Sequence, residues 1–193
     1  MTKLKNAALV VTVAALLQGC VTAAVIGVVG SGVSVANDNR TISDQITDTK
    51  IEFAAHTALK EAEGIADNSN LQVVSVNRKL LVVGQAPNTY LRDLAIKTLN
   101  NVPEVELVYD QIRIGNTTSF TTTSNDMWLT SKVKTALFSN ENLLATQIKV
   151  VTENGEVFLM GLVNARDADT AVEITRNISG VSQVYKMFEY LQQ

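Results

Sequence analysis

Cysteine, histidine and tryptophan occur once each in this chain of 193 residues, and proline only twice. Each scarcity removes a class of explanation. A single thiol, Cys20, permits no intrachain disulfide, so packing alone must hold the fold. A lone histidine, His56, with no second histidine or cysteine cluster beside it, reads as an ordinary surface or boundary residue rather than a metal ligand. It also leaves the hydroxyl side chains without a base to activate them, and no nucleophile-elbow or lid motif is present, so general-base chemistry is unsupported. Basic residues form no cluster and the formal charge is −3, which argues against nucleic acid as a partner. Gly30-Ser31-Gly32 lacks the third glycine of a nucleotide loop. An enzyme is the least supported reading.

What is present begins at the N-terminus. Lys3 and Lys5 precede an apolar core from Ala7 to Leu17, which closes in Leu16-Leu17-Gln18-Gly19-Cys20. A basic start, a short apolar core and a small residue before the cut are the parts of a secretory signal. The core falls short of the ~20 apolar residues that span a bilayer. An uncleaved helix from Ala7 to Val29 would be long enough, although Gly27, Gly30 and Gly32 weaken that stretch as a helix. Cleavage after Gly19 would leave 174 residues and move the formal charge from −3 to −5, since the lost segment holds two lysines and no acid. The run ending in Cys20 resembles the lipobox of bacterial lipoproteins. That resemblance implies a mature N-terminal Cys20 carrying a thioether-linked diacylglycerol and an amide-linked acyl chain, with no other cofactor. In the same resemblance an Asp after the cysteine retains a protein at the inner membrane; Val21 stands there, so the outer membrane is implied. Each buried CH2 contributes ~0.8 kcal/mol, and more than one chain makes a stable tether.

The second half of the chain repeats the first. Leu71-Gln72-Val73-Val74 and Leu80, Val82, Gly84 fall on Ile148-Lys149-Val150-Val151 and Val157, Leu159, Gly161 at an offset of 77. Ala55 to Leu59 matches Val133 to Leu137 at 78, and Val102/Val105 matches Val181/Val184 at 79. Single-residue shifts between blocks fall where loops tolerate insertion. Each unit reads as helix, strand, strand, helix, strand. In the first, Ile51, Ala55, Ala58, Leu59 and Ala62 recur at helical spacing up to Gly64. Alternating strands follow around a turn at Asn77-Arg78, then a helix from Pro87 with Leu91, Leu94, Ala95, Thr98 and Leu99 inward, then a strand from Val105 to Ile114. Asn154-Gly155 marks the second hairpin. The closing strand-helix-strand step predicts a parallel pair with a right-handed crossover. The predicted fold class is therefore α+β, two tandem small domains, each a three-stranded mixed sheet with two helices on one face. The boundaries are a signal over 1–19, a lipidated spacer over 20–43, a first domain over 44–114, a polar linker over 115–125 and a second domain over 126–190.

A helix, a hairpin whose second strand ends in glycine, an Ala-bearing helix and a Val-x-x-Val exit resemble the BON domain. Leu80-Leu81-Val82-Val83-Gly84 and Val157-Phe158-Leu159-Met160-Gly161 carry the hairpin signature, and the paired valines carry the exit. Two copies behind a lipobox resemble the family of dual BON-domain outer-membrane lipoproteins associated with division, outer-membrane stress and lipid binding. One departure is Asn101 before Val102, where the second unit has Gly180 before Val181.

The surface of most interest is the helix predicted from Asp126 to Ser139. Leu129, Val133, Ala136 and Leu137 supply its buried stripe, and at 100° per residue Trp128 and Phe138 fall well off it. Lys132 lies one turn beyond Trp128, Lys134 adds basic character, and Asp126 at the start suits the helix dipole. Tryptophan beside lysines suits an anionic bilayer, because the ring sits among headgroups while each cation contributes about 1 kcal/mol. Periodicity equally allows Trp128 to pack against Phe120 or to cover the interface between the units. The family resemblance implies the lipid reading: Phe120, Trp128, Lys132, Lys134 and Phe138 binding anionic phospholipid such as phosphatidylglycerol or cardiolipin. The matching positions in the first unit, Lys50 and Lys60, are not aromatic, so the two units are expected to differ in role. The acid pairs Asp167/Asp169 and Glu61/Glu63 read as solvated charge at helix ends. The expected protein is a monomeric, non-enzymatic lipoprotein on the periplasmic face of the outer membrane, supporting envelope integrity and enriched at the division septum. The alternative is a periplasmic protein-interaction module that uses strand edges to regulate an envelope biogenesis partner.

Overall fold

The computed structural model describes residue 38 and residues 40–116 and 118–191. The expected signal, Cys20 and the spacer as far as residue 37 lie outside the described residues. Among the described residues no helix is long and apolar enough to cross a membrane.

The first unit runs α1 (Ile42–Glu61), a single turn α2 (Ile65–Asn68), β1 (Asn70–Val76), β2 (Lys79–Ala86), α3 (Thr89–Asn100) and β3 (Leu107–Ile114). The second runs α4 (Phe120–Phe138), a 3-10 turn at Ala145–Gln147, β4 (Lys149–Glu153), β5 (Glu156–Val163), α5 (Ala165–Arg176) and β6 (Gln183–Tyr190). Each sheet has its hairpin pair antiparallel and its second pair parallel, in the orders β1-β2-β3 and β4-β5-β6. This is the predicted pair of three-stranded mixed sheets, each carrying two helices.

Both hairpins turn on two residues at positive φ, Asn77 (50°) and Arg78 (63°) in one, Asn154 (52°) and Gly155 (74°) in the other. Such turns follow the right-handed twist of the strands they join. Each is gripped by an aspartate from the preceding long helix. Asp48, 2% exposed, accepts hydrogen bonds from the backbone N–H of Asn77 (2.8 Å) and Arg78 (2.9 Å) and from the Ser75 hydroxyl (2.7 Å). Arg40, itself paired with Asp38, completes the set at 2.8 Å. Asp126 does the same for Asn154 (2.8 Å) and Gly155 (2.9 Å). A buried carboxylate is tolerated because donors surround it. The glycines that end the hairpin signatures are required by close approach: a Cβ on Gly84 would lie 1.9 Å from the Asn70 carbonyl oxygen, and one on Gly161 would lie 2.3 Å from that of Gln147.

The helices of each unit cover one face of its sheet, burying Ile51, Ala55, Leu80, Val82, Ala95 and Leu99 in the first and Val133, Leu137, Val157, Leu159 and Ala171 in the second. The other two faces pack on each other. Val76, Leu81 and Val83 meet Val151, Phe158 and Met160 in a third apolar cluster, where Phe158 stacks on Tyr185 with ring centroids 4.8 Å apart. Polar bridges ring this seam: Arg113 to Glu156 (2.7 Å), Lys149 to Glu52 (2.8 Å), Lys79 to Glu189 and Gln85 to Glu153. The middle strands are thus buried on both faces, so the alternation expected around Asn77-Arg78 does not hold for β2, whose Leu80 to Val83 form a continuous buried run.

Three local expectations are corrected. The stretch 115–125, predicted as a linker, is helical from Phe120 onward, because Ser119 caps α4 by accepting from the Thr122 N–H, and Thr123 bonds back to the Ser119 carbonyl. Asp126 accordingly lies inside the helix and holds a turn instead of facing the helix dipole. Pro87 precedes α3 rather than starting it: Asn88, whose side chain accepts from the Leu91 N–H at 2.9 Å, takes the cap. Asp167 is buried, not solvated, since its carboxylate accepts from the Asn164 amide while its own N–H is capped by Asn164.

Candidate functional site

Helix α4 buries one side and leaves the other to solvent. Leu129, Val133 and Leu137 are in the core, with Asp126 beside them. Phe120 (88% exposed), Met127 (69%) and Phe138 (61%) follow one another at spacings of seven and eleven residues, which is two and three helical turns, so they form a line along the outward face. Trp128 (62% exposed) stands next to that line. Together with Lys132 and Lys134 these side chains occupy an arc of about 160° at 100° per residue. All five residues singled out from the sequence on this helix therefore share one outward surface. Met127 belongs with them and was not anticipated; its signal was its place on the same line as Phe120 and Phe138.

The two lysines are held differently. The Lys132 Nζ sits 4.3 Å from the centroid of the Trp128 ring and donates to the Ser179 carbonyl oxygen at 2.8 Å, in the turn that follows α5. Lys134 is exposed on the opposite flank, where it borders the cleft between β1 and β4. On the other side of Trp128 a shallow, mostly apolar cleft is walled by Lys132, Thr135, Ala136, Ile178 and Ser179. This surface offers apolar rings, a thioether and ammonium groups. It offers no nucleophile-base pair.

The corresponding helix of the first unit is dressed otherwise. Lys50 and Lys60, both exposed, occupy the places of Trp128 and Phe138, as expected from the repeat. That face is nevertheless not wholly polar: Ile42, Ile46 and Phe53 are exposed along it. His56 is exposed on the same helix. A further pair went unread in the sequence, the turn-gripping Asp48 and Asp126. Their separation of 78 residues, shared with the surrounding matched block, is the signal that marks them.

Two repeats of this topology, each with a turn clamped from its first helix and a glycine at the end of its second strand, agree with the match of the BON-domain family model to residues 47–116 and 125–192. The chain belongs to the BON-domain family. Among curated relatives, the Outer membrane lipoprotein DolP of Haemophilus influenzae is 39% identical over 188 residues, covering 97% of each chain. The 21 kDa hemolysin of Actinobacillus pleuropneumoniae is 34% identical over 155 residues, covering 80% of each. The C-terminal domain of CdsD, a Type III secretion structural protein of Chlamydia trachomatis, aligns over 79% of this chain at 14% identity, but a TM-score of 0.31 is too low to bear on function. With two BON domains and a lipoprotein relative matched end to end, the chain is a dual BON-domain lipoprotein of the outer membrane.

Proposed function

We propose that this lipoprotein binds anionic phospholipid through the outward face of α4, with Phe120, Trp128, Lys132, Lys134 and Phe138 as the contact residues. The observation that carries the reading is the exposure of four large apolar side chains on one helix, Trp128 among them, beside two lysines. Left in water, such a row gains nothing for the fold. At a bilayer surface the indole and phenyl rings enter the headgroup layer while ammonium groups meet phosphate. The interaction is weak on its own and useful to a molecule already tethered. In the same reading residues 1–19 are removed and Cys20 carries the diacylglycerol and the amide-linked acyl chain, which fix the protein to the membrane and leave α4 to select lipid composition laterally. The protein acts without catalysis, supporting envelope integrity, and an affinity for phosphatidylglycerol or cardiolipin draws it to the division septum.

The sole tryptophan makes the test direct. Titration with phosphatidylglycerol micelles should shift Trp128 emission, and phosphatidylcholine micelles should not; equal responses, or none, would remove the proposal. Trp128→Glu, followed by co-sedimentation with phosphatidylglycerol vesicles, should lose binding without altering the melting temperature, because the ring is outside the core.

A further inference from the structure

Trp128 and Lys132 are already in contact before any lipid arrives. The ammonium group lies over the indole face at 4.3 Å and is tied to the Ser179 carbonyl at 2.8 Å. Both neighbours are sites of negative potential, the ring through its quadrupole and the carbonyl through its position just past the C-terminal end of α5. Much of the field of Lys132 is therefore spent within the protein. Lys134 contrasts with it: it is exposed, and no hydrogen bond or ion pair engages its ammonium group among the described residues. The two residues differ by two positions in sequence, hence by about 200° around the helix.

We propose that Lys132, within that contact surface, acts chiefly as a positioning residue: it staples the Trp128 indole and the turn after α5 together, keeping the cleft between Trp128, Ala136 and Ile178 preformed, while Lys134 supplies most of the electrostatic attraction. This rests on the lipid reading of α4 but adds a division of labour to it. A ring free to rotate about its side-chain torsions would have to be ordered on binding, at an entropic cost that rigidification removes in advance. The Lys132 bridge also joins α4 to the turn carrying Ile178, so the apolar wall offered to an acyl or glycerol group is made from two segments far apart in sequence.

The test compares Lys132→Met, Lys132→Arg and Lys134→Met in the full chain, reading indole fluorescence without lipid and then binding to phosphatidylglycerol vesicles over a range of salt. Without lipid, Lys132→Met should change the emission and anisotropy of Trp128, Lys132→Arg should restore them, and Lys134→Met should leave them as they are. With vesicles, Lys134→Met should weaken binding about fivefold at low salt and flatten the salt dependence. Lys132→Met should weaken binding while leaving the salt dependence unchanged. A lipid-free indole signal indifferent to Lys132→Met would overturn the proposal, as would a flattened salt dependence in that variant. If none of the proteins bound vesicles, the lipid reading would fall, and with it the division of labour, even if the lipid-free indole signature confirmed the staple.

Discussion

Helices α1 and α4 hold equivalent places in the two repeats, and their two sides compare differently. Inward, they match: Ile51, Ala55 and Leu59 are buried in one, Leu129, Val133 and Leu137 in the other, and Asp48 and Asp126 each clamp a hairpin turn. Outward, they diverge: α4 has Met127, Trp128 and Phe138 where α1 has Thr49, Lys50 and Lys60. The core side must fill a fixed volume against its sheet, and even one methylene is felt there. The solvent side answers to no such constraint, so the two repeats are free to differ there. The first unit also keeps Ile42, Ile46 and Phe53 exposed, so the faces share outward apolar residues and differ in the tryptophan with a lysine over its ring, which α4 alone carries.

The inward likeness is tested most severely at the paired glycines. Gly84→Ala and Gly161→Ala should each cost more than ~3 kcal/mol by chemical denaturation, since backbone atoms occupy the space a methyl needs. Gly84 should be the worse of the two because its φ of 128° is also hostile to a side chain. Equal and small losses would show that strand ends can part more easily than their contacts imply. The clamps come next. Asp48→Ala strands the Ser75 hydroxyl and two turn amides and leaves Arg40 with Asp38 as its remaining partner, and should cost about 3 kcal/mol. Asp126→Ala releases two turn amides and should cost about 1–2 kcal/mol. The comparison breaks if the second exceeds the first.

A smaller effect concerns the seam between the units. Burial pushes the Glu153 carboxyl above its ordinary 4.5, and the nearby charges of Asp126 and Glu156 add to this against the opposing hydrogen bond from Gln85. The folded protein therefore holds the Glu153 proton more tightly than the unfolded chain. This term favours folding below the unfolded value and is lost as pH rises through the raised one. Glu153→Gln should be the more stable protein at pH 7, with the difference closing as pH falls below 4.5; a constant difference across that range in thermal melts would remove the argument. The smallest effect is expected at Phe53→Ser, within about 0.5 kcal/mol of the parent in stability and unchanged in binding to phosphatidylglycerol vesicles. A loss of vesicle binding there would make α1 a second membrane surface and erase the contrast with α4.

Much of this was legible beforehand because helical and strand periodicities are local. The repeat offset located both hairpins and both buried helix stripes, whereas periodicity put Trp128 off the stripe without deciding between solvent and a packed position; the structure leaves it 62% exposed. Boundaries were less legible. The polar run before Asp126 reads as a linker because threonine and serine are weak helix formers, but the Ser119 cap lets α4 begin at Phe120, with the Thr123 hydroxyl satisfied by the Ser119 carbonyl. Asp126 was mistaken for a helix-start charge for the same reason. Its partners, Asn154 and Gly155, lie 28 and 29 residues away, beyond the reach of any spacing rule.

The sequence by itself determined the duplication, the order of the main elements in each unit, the positions of the two hairpin turns and the buried stripe of α4, since each follows from backbone preference or the period of apolar residues. Only the tertiary structure decided that the two sheets pack face to face through Phe158, Met160 and Leu81, and that Lys132 reaches Ser179 in the turn after α5. Those contacts join residues from separate elements. Apolar strands buried on both faces announce that something covers them, but the hydrophobic effect is non-directional and does not say what.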